Sequence, residues 1–249
     1  MTKHFEGLTA VVSGAGSGIG LSVAQQLHAM GVKVFGLDVN VGAMAPYATY
    51  IHCNIGDTSS VKSAFERIST EIQSLDILIN NAGIGAIGSI EDATDEEWAS
   101  VMNINVVGIS RVSTAALPLL RKSKSASIVN TCSVAATVGL PKRAVYSASK
   151  GAVLSLTRAM AADLIVERIR VNCVNPGTAD TPWVGRILGQ ASDPVAEKAA
   201  LAARQPIGRL VSADEVASAI IYLASPEQAS TTGIALTVDG GLQGLRLPK

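Results

Sequence analysis

The chain has 249 residues, 48% of them hydrophobic but only 4% aromatic, and its formal net charge is zero. That length suits one α/β domain over residues 1–249, with a core packed from Ala, Val, Ile and Leu. Zero net charge leaves nucleic-acid binding without an electrostatic footprint, and no uncharged apolar run of 18 residues exists to span a membrane.

Residues 8–13 predict a short apolar strand that starts within ten residues of the N-terminus, so no secretory leader is expected. The strand runs into Gly14-Ala15-Gly16-Ser17-Gly18-Ile19-Gly20 and then a helix with apolar residues at 3–4 spacing. Strand, glycine turn and helix N-terminus make a phosphate cradle: glycines admit a pyrophosphate to the backbone, and the helix end supplies N–H groups and a positive dipole end. The spacing is Gly14-x-x-x-Gly18-x-Gly20, with Ser17 and Ile19 in the turn. A second strand, 33–37, ends at Asp38. A carboxylate there can accept from adenosine ribose hydroxyls and repel a 2′-phosphate, and Val39 and Asn40 offer that phosphate nothing, so NAD is the expected cofactor.

A third strand is predicted at 50–52, a helix at 61–72 and a fourth strand at 76–80. Thr94-Asp95-Glu96-Glu97 predicts a capping box opening a long helix, which bends or breaks around 103–108. Arg121-Lys122-Ser123-Lys124 reads as a solvated helix end. Strand five is predicted at 126–131, a helix at 145–167, strand six at 170–174, a helix at 213–223 and strand seven at 234–238. Alternation of this kind calls for a doubly wound parallel sheet with ligands beyond the carboxyl ends of its strands. Residues 177–206 form an insertion of mixed charge with no strand, expected as a lid over the substrate. Cys53, Cys132 and Cys173 are scattered and apolar in context, which fits buried thiols in a reducing cytoplasm. Cys132 should alternate to the face opposite Ser133. Neither the cysteines nor His4, His28 and His52 have metal-site spacing.

Within the 145–167 helix, Tyr146 and Lys150 are four residues apart and share a face, with Cβ atoms about 6 Å apart. A phenol is a poor base at neutral pH. An ammonium about 4 Å away is worth at most about 4 kcal/mol, enough to bring a tyrosine into the working range of a general base.

These motifs, in this order, resemble the short-chain dehydrogenase/reductase superfamily over nearly the whole chain. The quoted segments are the turn Ser13–Gly20, with Ser13 where Thr is usual; Asn80-Asn81-Ala82-Gly83; Asn103-Ile104-Asn105; the strand ending at Ser133; Tyr146-x-x-x-Lys150; and Asn175-Pro176-Gly177 with Thr181. The resemblance implies a seven-stranded Rossmann-type sheet with helices on both faces and a homotetramer. It implies Asn105, Ser133, Tyr146 and Lys150 as the catalytic set. Tyr146 would exchange the hydroxyl proton, Ser133 would orient the substrate oxygen, Lys150 would reach the nicotinamide ribose, and Asn105 would hold a relay water. Cofactor contacts are implied for Gly14, Ser17, Gly18, Ile19, Gly20, Asp38, Asn54, Ile55, Asn81, Ala82, Gly83, Tyr146, Lys150, Pro176, Gly177, Ala179 and Thr181. Asn54 stands where the family usually has Asp, a departure that touches only adenine contacts.

Stretches such as Arg143-Ala144-Val145-Tyr146-Ser147 and 172–182 resemble a branch that includes 2-keto-3-deoxy-L-fuconate 4-dehydrogenase and cytosolic 3-hydroxybutyrate dehydrogenase type 2, which also oxidises cis-4-hydroxyproline. Arg143, three residues before Tyr146, can stand at the mouth of the site, and Arg186 in the lid is a second candidate for a substrate carboxylate, since arginine forks match carboxylates bidentately. Arg204 and Arg209 are expected to anchor the lid's return. The leading expectation is NAD-dependent oxidation of 2-keto-3-deoxy-L-fuconate or a related sugar acid. 3-Hydroxybutyrate, cis-4-hydroxyproline, 3-oxoacyl-thioester reduction and a non-enzymatic dinucleotide sensor stand as alternatives.

Overall fold

A computed structural model describes residues 4–189 and 191–246. Seven parallel strands form the central sheet: β1 (Thr9–Ser13), β2 (Lys33–Asp38), β3 (Thr49–His52), β4 (Ile77–Asn80), β5 (Ser127–Thr131), β6 (Arg170–Pro176) and, last in the chain, β9 (Ala235–Val238). Their order is β3-β2-β1-β4-β5-β6-β9, so the winding reverses between β1 and β4. Such a reversal opens a crevice at the carboxyl ends of the strands. The strands are apolar because both faces are covered. β1 divides its side chains accordingly. Val11 points to one core with Phe65 and Ile68 of α2 (Thr58–Glu71) and Val112 and Ala116 of α4 (Gly108–Leu120). Ala10 and Val12 point to the other, with Val23 and Leu27 of α1 (Gly18–Ala29) and Ile220 of α8 (Ala213–Ala224).

The predicted break after residue 102 is a π-helical turn, Asn103–Val107, between α3 (Asp95–Met102) and α4. α2 starts three residues before its apolar pattern, because Asp57 Oδ1 accepts from the Ser59 and Ser60 N–H groups at 2.7 and 3.2 Å. The long helix α5 (Ala144–Leu164) passes into a 3₁₀ turn at Ile165–Glu167.

Two local expectations are corrected. At Thr94 only the forward half of the predicted capping box forms, Thr94 Oγ1 accepting from Glu97 N at 3.2 Å. The reciprocal box is at the start of α8, between Ser212 and Glu215. The insertion after Gly177 also contains a strand: β7 (Ala179–Asp180) pairs with β8 (Val211–Ser212), closing its two roots together. Between them stand α6 (Pro182–Leu188) and α7 (Pro194–Ala203).

Candidate active site

One cavity of about 460 Å³ runs along the carboxyl ends of the strands. At its first end lies the glycine turn. Gly14 has φ 68°, and a Cβ on Gly20 would stand 2.2 Å from the Gly14 carbonyl oxygen. Only glycine lets α1 seat this closely beneath the turn. Ser13 locks the turn to β4: its hydroxyl donates to Ile79 O and accepts from Asn81 N and Ala82 N at 3.0 and 3.1 Å. Asn81 Nδ2 donates in return to Ser13 O and Gly14 O. Asp38, at the end of β2, accepts from Gly16 N at 3.0 Å and Asn40 N at 3.2 Å, so its carboxylate stands at the rim of the turn. Asn54 turns its side-chain oxygen onto Gly56 N, 2.9 Å away.

The other end is built where β5 meets α5. Ser133 follows β5 in extended conformation and is buried. Its oxygen accepts from Ala135 N at 3.1 Å, capping a 3₁₀ turn over Val134–Ala136 and leaving its hydrogen to donate. Lys150 is buried, with Nζ donating to Thr131 O at 2.8 Å and standing 5.7 Å from the centre of the Tyr146 ring. Among the described residues that ammonium has no carboxylate partner. Cys132 turns away from Ser133 and joins a small apolar cluster with Ile109, Val153 and Cys173, its thiol donating to Lys150 O at 3.1 Å.

Asn105 sits in the π-helical turn, fully buried behind Gly83. Its Oδ1 accepts from Ile84 N at 2.8 Å, and Nδ2 donates to Ile84 O at 2.9 Å and to Ser149 Oγ at 3.1 Å. Both amide hydrogens are therefore engaged, and the side chain splints the 83–85 loop to α5.

Above Tyr146 lies Trp183 of α6, its ring centre 6.3 Å from the phenol ring and the planes 19° apart. Arg143 covers the indole from another side at 6.0 Å and donates to Ala86 O at 3.3 Å. Burial lowers the pKa of the Arg143 guanidinium from the ordinary arginine value, and the like charge of Arg204 lowers it further, against smaller opposite contributions from Tyr146 and Glu197. Arg204 stands close enough to Arg143 to act on its charge, and Arg186 lines the same cavity.

Of the residues singled out from sequence, Gly14, Ser17, Gly18, Ile19, Asp38, Asn54, Ile55, Asn81, Ala82, Gly83, Ser133, Arg143, Tyr146, Lys150, Pro176, Gly177, Ala179, Thr181 and Arg186 line the cavity. Gly20 and Asn105 act from beneath the wall. Arg209 is paired with Glu215 as a structural anchor, at 2.7 Å. Arg204 is not an anchor: it faces the cavity beside Arg143. Trp183 and Glu197 also line it and have no motif spacing to announce them. The one sequence signal for Trp183 is a rare aromatic directly after Thr181-Pro182. Among the described residues no cluster of three His, Cys, Asp or Glu could hold a metal, and no helix is long and apolar enough to cross a membrane.

Residues 14–243 match the family described as Enoyl-(Acyl carrier protein) reductase. The chain is similar to Dehydrogenase/reductase SDR family member 6 of Rattus norvegicus, 38% identical over 96% of this chain and 98% of the relative. Among solved structures it is similar to the aldohexose dehydrogenase of Thermoplasma acidophilum, with a TM-score of 0.91, 33% identity and 98% of both chains covered. It is also similar to the 3-ketoacyl-(acyl-carrier-protein) reductase of Brucella melitensis, which was solved with NADH. That match has a TM-score of 0.86 and 31% identity, covering 96% of this chain and 99% of the other.

Proposed function

The chain belongs to the short-chain dehydrogenase/reductase superfamily of oxidoreductases acting on CH–OH groups, and from that premise we propose that it uses NAD to oxidise a secondary hydroxyl on a small carboxylate. The substrate named by this reading is a keto-deoxy sugar acid such as 2-keto-3-deoxy-L-fuconate, oxidised at its 4-hydroxyl. The observation that carries it is the set of Arg143, Arg186 and Arg204 around the cavity that holds Tyr146, none of them ion-paired among the described residues. These guanidinium forks outnumber the one carboxylate beside them, Glu197, and suit an anionic substrate. The likeness to an aldohexose dehydrogenase supports a polyhydroxylated one.

The cavity, from its glycine-turn end, fits NAD. Gly14, Ser17 and Gly18 of the turn open onto the cavity without bulky side chains, which suits close approach of a pyrophosphate, and Asp38 stands where a ribose would meet it. The NADH held by the Brucella relative supports the same cofactor. Bound there, NAD supplies the hydride acceptor. The chain's own residues handle the proton. Tyr146 takes it from the substrate hydroxyl. Lys150, held by Thr131 O, sets a positive charge beside the phenol and is placed to reach a ribose hydroxyl. Ser133 donates its free hydrogen to the substrate oxygen and orients it. Asn105 keeps the 83–85 loop in place, and a relay water would rest on its backbone, since its side-chain donors are occupied. α6 and α7 act as the lid of a single domain. Three free, buried thiols support a reducing compartment, and the reading is completed by a cytoplasmic homotetramer.

A second reading, reduction of a 3-oxoacyl thioester, is favoured by the likeness to the Brucella reductase. One assay separates the two. Hydroxy acids, keto-deoxy sugar acids and 3-oxoacyl thioesters are offered with NAD or NADP and the nicotinamide absorbance is followed. The expected result is NAD reduction with the acids. A kcat/KM favouring NADP, with thioesters as the better substrates, would overturn the first reading.

A further inference from the structure

Trp183 is the side chain that the mechanism above leaves unused, although it covers the catalytic phenol. α6 begins with Pro182-Trp183, and the indole is held on several sides. Val184, Leu188, Leu201 and Leu210 pack with it into a small core belonging to the lid itself. On the far side is Gly85, where a Cβ would lie 2.0 Å from the indole Cζ2. Gly85 does not have the left-handed backbone that demands glycine, so the missing side chain makes room for the ring. Tyr146 stacks on the indole at 6.3 Å and Arg143 stands 6.0 Å from its centre. A substrate that places its hydroxyl at Tyr146 and its carboxylate at Arg143 must therefore lie across this one ring.

We infer that Trp183, seated against Gly85, sets substrate length: it walls the cavity so that acids with only a few carbons between hydroxyl and carboxylate fit, and longer acyl chains are refused. The inference rests on the small-carboxylate reading of the site. A packed aromatic wall does not yield as a flexible one would, and one surplus methylene against such a wall costs about tenfold in kcat/KM. A tryptophan that merely filled the lid would behave differently, since its removal would weaken every substrate alike.

The test is a chain-length profile. NAD reduction is measured with 3-hydroxybutyrate, 5-hydroxyhexanoate and 7-hydroxyoctanoate, which lengthen the span between hydroxyl and carboxylate, on the whole chain and on Trp183→Ala, Gly85→Ala and the double variant. The unaltered chain should lose about tenfold or more in kcat/KM at each lengthening. Trp183→Ala should flatten the profile, raising the octanoate-to-butyrate ratio by about tenfold or more. Gly85→Ala should push the indole into the substrate space and lower turnover of even the shortest acid. Adding Trp183→Ala should restore it, a rescue that a folding defect would not show. An unchanged ratio in Trp183→Ala, or a Gly85→Ala defect that Trp183→Ala fails to relieve, overturns the inference. Secondary alcohols of the same lengths are run beside the acids. If only the alcohols react, the carboxylate reading fails while the length rule is judged on the alcohols. Titration calorimetry of butyrate and octanoate onto the NAD-loaded chain reads the same ratio without turnover.

Discussion

Arg143 is positioned by backbone before any substrate arrives. Lys142 adopts φ 54°, a left-handed conformation uncommon outside glycine. The strain is held by a short bridge in which Gly88 N donates to Lys142 O at 3.1 Å and Ala144 N donates to Gly88 O at 3.3 Å. The guanidinium then has one hydrogen bond, to Ala86 O, and its other N–H groups have no protein acceptor among the described residues. If these read the carboxylate, Arg143→Ala should cost about 2–4 kcal/mol in kcat/KM for acids and little for neutral alcohols of similar shape. Tyr146→Phe should abolish turnover of both while leaving NAD binding intact. Equal losses on acids and alcohols for Arg143→Ala would make it a support for the loop and leave the acid reading on resemblance alone. The proposed catalytic residues could be picked out in the sequence because each sits within a few positions of a glycine, asparagine or Tyr-x-x-x-Lys motif. Arg204, Glu197 and Trp183 were not, because the path of the lid brings them to the cavity and no local spacing encodes that path.

At the level of elements, the sheet was readable because strands buried on both faces are continuous apolar runs. Helix ends were less so, since polar capping residues lie outside the apolar period. Asp57 moves the start of α2 back to Thr58, and of two stretches with the same capping-box pattern, Ser212-Ala213-Asp214-Glu215 closes the box and Thr94-Asp95-Glu96-Glu97 forms only half of it. One end has no local signal at all. The last carbonyls of α8 are met by Arg170 at the start of β6, more than fifty residues away in the chain. Its guanidinium is buried and donates to Leu223 O at 2.7 Å, Ala224 O at 3.3 Å, Ser225 O at 3.0 Å and Thr231 O at 3.3 Å. Burial lowers its pKa from the ordinary arginine value, yet the four carbonyls satisfy the planar fork. Arg170→Met takes one donor from each of these carbonyls, although Ser127 Oγ still meets Leu223 O, Gln228 N meets Ser225 O and Asn172 Nδ2 meets Thr231 O, and should cost about 1–3 kcal/mol in denaturant unfolding, with the slope unchanged. Arg170→Lys should recover only part, because an ammonium cannot span the same acceptors. A loss below about 1 kcal/mol for Arg170→Met would show that water replaces the guanidinium at this helix end.

The whole molecule has surface that one chain leaves uncovered. On α5, Val145, Ser149, Val153, Thr157, Ala161 and Leu164 are buried, yet Ala148, Ala159 and Ala162 are exposed and Ala152 and Leu156 only half-buried. Small side chains there would let another helix approach closely. At the sheet edge β9 pairs with β6 alone, and all four of its residues are only half-buried. A hydrophobic helix face and a sheet edge, both incompletely covered, fit the proposed homotetramer, in which two different surfaces must each meet a copy of themselves. Light scattering at micromolar concentration should therefore give about four times the 25.6 kDa of one chain. If α5 carries one of the contacts, Ala159→Arg should break that interface, leaving a dimer held by the other and a melting temperature that rises with protein concentration. A monomer from the unaltered chain would refute the assembly. A tetramer that survives Ala159→Arg unchanged would keep the assembly but move the contact off α5.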